Sequence, residues 1–555
     1  MVDMDLHALK EVGHQFSWSN REEGQKRIIS KIDHAIGNLA WMNSFASNPV
    51  LYDNAKTSDH SPLLVKLTQN PSSIKKPFKF LNYLVDHPEF MTKVEKAWKE
   101  DVTGTGSERI WRKLQNVKKE LKQLHSLEFK GIQMRLLQYE ETLEEVQTKL
   151  QDDPTNDILI TREKGALQKL RYWRKIDGIA LQQKSRVAWL KYGDESTAYF
   201  HAAIKERQTK NGIYELWDTE GNHLIKPDDI EGEIVGFYKK LQGTASSSLR
   251  DIDRESMRKG AQLQADDIFR LIQEVTEEEI RQAVFGINDN KAAGIDGFNA
   301  KFFKATWHII KDDIITAVKH FFVDGTLFPP INCTILTLIP KKSNACTMGD
   351  YRPIACCNVL YKIISGILTQ RLQKVIGKVV DLAQSGFIPG RQISDNILLA
   401  TEIIKGYNRK NKKPRCMVKV DLKKAYDSLD WNFLQQVMEE MGFPPRFVKW
   451  IMCCVTSVSF SILVNGAPLK PFKAAKGLRQ GDPLSPYLFA IGMEYLSRLM
   501  GDLKRNKQYK YHPRCRVNLT HLMFADDLLM FCGGDLNSVK TMMTTFDSFS
   551  SSSGL

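Results

Sequence analysis

No apolar run in this 555-residue chain approaches the roughly 18 residues that a membrane span requires. The first residues, MVDMDLHALKEVGHQ, hold no apolar core of the kind a secretory signal carries. Proline (20) and glycine (34) are too scarce for a collagen-like or low-complexity chain. No CxxC pair occurs and no Cys/His group has zinc-ligand spacing, so a structural zinc is not expected. The nine cysteines all fall between Cys333 and Cys532, and the adjacent pairs Cys356-Cys357 and Cys453-Cys454 sit among apolar residues. They read as buried free thiols in a reducing compartment. No fixed-period repeat is present.

Hydrophobic residues make up 42% and charged residues 26%, a globular composition. The length allows about three or four domains. Lys and Arg total 79 against 65 Asp and Glu, a net charge of +14 that leans toward a polyanionic partner. Residues 1–70 read as short strands: FSWSN (16–20), RIISKIDHAIGN (27–38) and SPLLVKL (61–67). A linker is predicted from Gln69 to Pro77. Residues 85–210 are helix formers. Leu114, Val117, Leu121, Leu124 and Leu127 make one helical stripe, continued by Leu136, Leu143, Val146 and Leu150. A break at Gln151–Asp157 and a second helix to about Lys191 predict an antiparallel helical hairpin or coiled coil. From Arg162 to Lys210 there are twelve Lys/Arg and five Asp/Glu, interleaved with Tyr172, Trp173, Trp189, Tyr192, Tyr199 and Phe200. That segment is either a solvated face over core aromatics or an arm that meets phosphates. GIYELWDTEGNHLIK predicts a β-hairpin turning at Thr219–Asn222, followed by a helix and the Ser-rich loop TASSSLRD (244–251). Mixed α and β structure then runs to the end. The expected domains are 1–70, 71–263 and 264–555.

Chemistry concentrates in three places. In HLMFADDLLMF (521–531) two strand-length apolar runs flank one Ala-Asp-Asp, which predicts a β-hairpin with Asp526 and Asp527 at its turn. Adjacent carboxylates between buried strands repel one another, and a cation would relieve that cost; an ordinary Asp-containing turn is the other reading. CMVKV (416–420) is a short apolar strand ending in Asp421, 105 residues before Asp526. If the fold brings them together, their hard oxygens suit Mg²⁺ and phosphate. In GLRQGDPLSPYLF (477–489) a Gly/Pro loop precedes an apolar helix. Gly477 and Gly481 permit close backbone approach, and Gln480 offers both donor and acceptor; a purely structural loop is the alternative.

These segments resemble reverse-transcriptase motifs. VDLKKAYDSLDW resembles the first metal-binding motif of the palm, GLRQGDPLSPYLF the motif beneath the template–primer pair, and FADD the metal-binding hairpin in its non-LTR retrotransposon variant. AAGIDGFNAKFFK (292–304), LIPKK…GDYRPIACCNVLYKIISGILTQRL (338–372) and QSGFIPGRQISDNILLATEII (384–404) follow the order of plant LINE-type open reading frames. The resemblance covers about 265–555. It implies an α+β multidomain fold, with right-hand polymerase fingers and palm built as an antiparallel sheet backed by helices. It implies RNA-directed DNA synthesis on an RNA template, a DNA primer or target DNA, and dNTPs, with two Mg²⁺ ions, or Mn²⁺ as an alternative. Asp421, Asp526 and Asp527 would be the catalytic metal ligands, and Tyr426 would exclude a ribose 2′-hydroxyl, its other reading being a core aromatic. Gln480 would line the nucleotide pocket, and Arg352 with Lys341 or Lys342 would hold the triphosphate, unless these are plain surface charge. From Lys341 to Lys424 there are seventeen Lys/Arg and five Asp/Glu, which fits fingers facing a template backbone. An intracellular product of nucleus or cytoplasm is implied, with no membrane partner.

A second resemblance covers the first seventy residues. FSW, SKIDH (with Asp33) and SDHSP are similar to the last strands of the apurinic-type (endonuclease/exonuclease/phosphatase) nuclease that precedes the polymerase in these elements. It implies that His60 contacts a scissile phosphate and that Asp59 orients it. The segment with the metal-binding Glu of such a nuclease does not precede residue 1, and the chain stops about thirty residues after FADD. The expectation is therefore a product truncated at both ends, with no nicking activity and no polymerase thumb. Three rivals remain: an inactive basic nucleic-acid-binding fragment of a retroelement, an intron-encoded maturase-type polymerase, and a structural coiled coil centred on 108–191.

Overall fold

The computed structural model describes all residues except 1–5, 39, 40, 42–44, 46, 47, 66, 68–76, 130, 186–199, 201, 202, 205, 208, 209, 246–248, 343, 344, 408–412, 516 and 517. The expected linker at 69–77 (Pro77 apart), the end of the helix predicted to Lys191, the middle of the Ser-rich loop, and Trp189, Tyr192 and Tyr199 lie outside the described residues.

Short β-branched and aromatic runs between polar turns make short strands. Before residue 70 they are β1 (Leu6–Ala8), β2 (Glu11–Gly13), β3 (Trp18–Ser19), β4 (Ile29–Ser30), β5 (Ile36–Asn38), β6 (Val50–Tyr52) and β7 (Leu63–Val65). They form three small sheets, β1-β5, β3-β4 and β2-β6-β7. Leu9, Val50 and Tyr52 are their own small core.

Helices follow where the apolar spacing is three and four. They include α1 (Phe90–Lys99), α2 (Gly106–Leu124), α3 (Ile132–Asp152) and α4 (Asp157–Ser185). Helix α2 buries Leu114, Val117, Leu121 and Leu124, the stripe read from the sequence. The stripe ends one step earlier than predicted, because Leu127 is 63% exposed. Residues His125–Phe129 form a π-helical turn, whose wider winding rotates the next side chain off the buried face. Helices α3 and α4 fold back on one another across a four-residue break, the hairpin expected. Trp173 of α4 is buried edge-on against Phe129, with the Arg135 guanidinium 4.8 Å over its ring. This aromatic belongs to the core. β8 (Leu216–Trp217) and β9 (His223–Leu224) pair around a turn in which the Asp218 carboxylate accepts from the Glu220 and Asn222 amides. Helix α5 (Pro227–Gln242) follows.

Two larger sheets occupy the remainder. β10 (Cys333–Pro340) lies antiparallel to β11 (Tyr351–Cys356) and parallel to β13 (Ser459–Val464), and β14 (Ala467–Pro468) and β15 (Phe472–Lys473) pair with β13. The second sheet is antiparallel, β12-β17-β16, from β12 (Arg415–Asp421), β16 (His521–Phe524) and β17 (Asp527–Gly533). The helix from Leu536 to Ser553 packs on β17, and the helix from Ser485 to Asp502 packs on that helix. The antiparallel sheet with flanking helices matches the expectation. One continuous apolar core runs from Phe80 to Phe549, so the helical segment and the two sheets share it. Among the described residues no helix is long and apolar enough to cross a membrane.

Candidate active site

Strand β12 ends at Asp421, and β17 begins at Asp527. The register places them directly opposite one another, with Val420 facing Leu528 and Lys419 facing Leu529. Opposed residues of an antiparallel pair share a sheet face, with Cβ atoms about 5 Å apart. Two carboxylates distant in sequence therefore stand side by side. Phe524 pairs with Asp527, which leaves Ala525 and Asp526 as a two-residue hairpin turn. Ala525 adopts φ 55°, a positive φ of the kind the first central residue of a tight hairpin turn requires.

Asp526 lines a cavity of about 330 Å³ together with Phe387, Tyr426, Arg479, Gln480, Gly481 and Pro486. Three residues singled out from separate motifs thus meet around one space. The single cradle expected for Asp421, Asp526 and Asp527 is not formed by side chains: among the described residues no three His, Cys, Asp or Glu groups converge closely enough to hold an ion. Strand geometry accounts for this. Asp421 and Asp527 share a sheet face, whereas Asp526 belongs to the turn and lines the cavity. Lys419, on the face of Asp421, holds its ammonium 3.3 Å from Asp527 Oδ1. The donor set is all hard carboxylate oxygen, and the Asp527 side chain is 63% exposed, which suits a hard divalent cation that keeps part of its water shell.

Tyr426 follows β12 by five residues and stacks on Phe489, centroids 4.8 Å apart. Burial, and then the Asp526 charge, push its hydroxyl above the ordinary phenol range. Its ring is at once a cavity wall and packed against the core. Next to it Asp427 is 4% exposed. Burial raises its carboxyl to about 6, against the pull of Lys424, a hydrogen bond from Gln242 and the charge of Lys341. Gln242 closes α5, and its Nε2 donates to Asp427 Oδ1 at 2.8 Å.

The loop of Gln480 is fastened from behind. A Cβ on Gly477, at φ 86°, would sit 2.6 Å from the Asp427 carbonyl oxygen. Only glycine lets these two segments lie so close. The Gln480 carbonyl accepts from the Ala355 amide of β11 at 2.8 Å. Arg479 is buried and donates to Asn332 Oδ1 at 2.8 Å, with the Tyr361 ring 3.9 Å from its guanidinium carbon and Asp482 3.6 Å from Nε. Tyr361 in turn donates to Asp482 at 2.6 Å. Sequence reading missed Arg479, because an Arg in a Gly/Pro loop looks like surface charge; the one available signal was the apolar run around Tyr361.

The proposed triphosphate residues stand apart from the cavity. Arg352 is exposed on β11 opposite Ile339. Lys342 is paired with Asp350 at 3.0 Å, and Lys341 donates to the Gly349 carbonyl at 2.9 Å. None of the three lines the space around Asp526. They sit at the far end of the β10–β11 hairpin, whose own turn engages both lysines.

In the N-terminal sheets His60 bridges to Trp18. The reading that Asp59 orients His60 is corrected here. His60 Nδ1 lies 2.9 Å from Asp33 Oδ2, while Asp59 accepts from the Trp18 indole at 3.2 Å. Sequence neighbours such as Asp59 and His60 project to different sides of an extended segment, so the partner comes from another segment. The hydrogen bond to Asp33 raises the His60 imidazole, and Asp33 is correspondingly lowered. All nine cysteines are free thiols.

Residues 339–555 match the family described as reverse transcriptase (RNA-dependent DNA polymerase). The chain is 27% identical over 356 residues to the transposon TX1 uncharacterized 149 kDa protein of Xenopus laevis, covering 62% of this chain and 26% of that protein. It is 27% identical over 259 residues to the retrovirus-related Pol polyprotein from type-2 retrotransposable element R2DM of Drosophila melanogaster, covering 46% and 23%. With the R2 Pol polyprotein of Popillia japonica it shares 26% identity over 285 residues, covering 50% and 37%. The chain thus spans about a quarter to a little over a third of these relatives' lengths. Residues 339–555 are thus similar to the reverse-transcriptase family, and these relatives are proteins of a transposon and of retrotransposable elements.

Proposed function

We propose that this chain performs RNA-directed DNA synthesis, extending a DNA 3′-hydroxyl with dNTPs on an RNA template. One observation carries the reading: Asp421 lies opposite Asp527, and the turn between the paired strands puts Asp526 in a cavity with Tyr426 and Gln480. Asp421, Asp526 and Asp527 would hold two Mg²⁺ ions, which supply the charge that activates the attacking hydroxyl and stabilises the leaving pyrophosphate. Tyr426 walls the sugar side of the cavity and rejects a 2′-hydroxyl. Gln480, its backbone pinned to β11, presents its amide to the nascent pair. Arg352, with Lys341 or Lys342, meets the triphosphate, and the basic excess from Lys341 to Lys424 faces nucleic acid. The motif order supports a plant LINE-type element as the source. The His60–Asp33 pair supports descent of the first seventy residues from an endonuclease of the apurinic type.

Primer extension on an RNA template tests this. Mg²⁺-dependent extension that Asp526→Asn abolishes is the expected outcome. Salt-sensitive binding of template–primer without extension would replace the polymerase with a nucleic-acid-binding fragment.

A further inference from the structure

The segment QSGFIPGRQ has no role in the chemistry above, yet it touches the turn that carries Asp526. Gln384 has no exposed surface. Its side-chain carbonyl accepts from the Gly386 amide at 2.8 Å and from the Ala525 amide at 3.0 Å, and its Nε2 reaches the Ala525 carbonyl at 3.4 Å. The orientation of the amide is dictated by its partners: two backbone N–H groups face one atom, so that atom is the oxygen. The surrounding backbone repeats the contact. Met523 N donates to the Ala383 carbonyl at 2.8 Å, Ser385 N donates to the Met523 carbonyl at 3.0 Å, and Asn396 Nδ2 reaches that same carbonyl at 2.9 Å.

The fit is close. A Cβ on Gly386 would overlap the Ala525 nitrogen, so only glycine lets the loop lie against the turn. Ala525, at φ 55°, holds a backbone conformation that L residues disfavour, and such a turn keeps its shape only when its surroundings over-determine it. The loop that grips it is itself anchored by Arg391, which donates to the Gln384 and Val380 carbonyls at 2.7 and 2.8 Å. On its other side the same loop presents Phe387 to the cavity that Asp526 lines.

We infer that Gln384 is a positioning residue that fixes the Ala525–Asp526 turn, and through it the Asp526 carboxylate, for cation binding. The inference rests on the polymerase reading for its purpose, but its test stands apart from turnover. Residues that orient a metal ligand from outside typically change affinity by about 10- to 100-fold when removed. Gln384→Met keeps length and removes both hydrogen-bonding ends; Gly386→Ala displaces the turn sterically without touching Gln384.

Mn²⁺ binding to the full chain, followed by the loss of the free-ion electron paramagnetic resonance signal, is compared for the wild type, Gln384→Met, Gly386→Ala and Asp526→Asn. Primer extension is titrated with Mg²⁺ in parallel. Both loop variants are expected to weaken Mn²⁺ binding at least tenfold and to raise the Mg²⁺ requirement similarly, with KM for dNTP and the far-ultraviolet circular dichroism unchanged. Wild-type Mn²⁺ affinity in Gln384→Met and Gly386→Ala, alongside a loss in Asp526→Asn, overturns the inference and leaves the polymerase reading standing. A wild type that binds Mn²⁺ but extends no primer overturns that reading, and the Mn²⁺ comparison still decides the role of Gln384.

Discussion

Replacing Asp427 with Asn should stabilise the protein at neutral pH and do so less as the solution is acidified. Asp427 is nearly enclosed, 4% exposed, beneath the Tyr426 wall of the cavity. The charge of Lys424, the hydrogen bond from Gln242 and the more remote charge of Lys341 do not offset its burial, which lifts the carboxyl from an ordinary 3.8 to about 6. The folded state therefore binds this proton more tightly than the unfolded chain does. Folding gains from protonation as pH falls below about 6, and that gain is lost as pH rises through the same window. At pH 7 the ionised side chain opposes folding by about 3 kcal/mol as an upper bound, and at pH 5 by about half of that. Asn keeps an acceptor for Gln242 Nε2, so the substitution removes the charge and spares the hydrogen bond. Thermal unfolding of both proteins at pH 7 and pH 5 measures this. The variant should have the higher midpoint at pH 7 and a smaller advantage at pH 5. An equal difference at both values, or a variant less stable at pH 7, would refute the assignment of an unfavourable buried charge to Asp427.

Lys419 and Asp527 form an exposed pair, 65% and 63% accessible, so Lys419→Gln should change stability by under ~1 kcal/mol. It should nonetheless lower the Mg²⁺ concentration for half-maximal extension by roughly two- to fivefold, because a competing cation leaves the Asp527 carboxylate; an unchanged or higher requirement would count against the ammonium standing in the ion's place. In the N-terminal sheets, Asp33→Asn should bring the His60 imidazole down toward its ordinary range, read from the ring-proton shift across a pH titration, and Asp59→Asn should move it less. The reverse ranking would restore Asp59 as the partner.

What was legible in the sequence is what local pattern controls. The FADD hairpin could be read because two apolar strands flank a pair of carboxylates too polar to bury, and Asp421 because β12 stops there. The helical hairpin followed from spacing and from the break at 151–157. The stripe was over-extended to Leu127 because a π-turn leaves no mark in apolar spacing. The role of Asp59 came from the resemblance of SDH to the nuclease motif, and the pairing of His60 with Asp33 across 27 residues leaves no mark in the local sequence. Arg479, Gln242 and Gln384 were illegible for one reason. Each is a polar side chain with a partner more than 140 residues away, and burial of a polar group shows only when that partner is in place.

The three acidic segments are joined mainly by backbone. Gly477 lets its loop lie on the Asp427 carbonyl, and Gly386 lets its loop lie on the Ala525 amide. Leu478 N donates to the Tyr426 carbonyl at 2.6 Å, Gly477 N to the Leu429 carbonyl at 2.8 Å, and Ala355 N to the Gln480 carbonyl at 2.8 Å. None of these contacts involves a carboxylate of the candidate site. The frame that brings Asp421, Asp526 and Asp527 near one another is therefore built without the energy of any ion they bind. That separation explains why their side chains need not converge for the backbone to be in place, and why Lys419 can occupy the face that Asp421 and Asp527 share. It also sets what conservative changes at the site can report. Asp526→Asn leaves every one of these backbone contacts intact, so a loss of synthesis in that variant reads the carboxylate's charge and not the integrity of the frame.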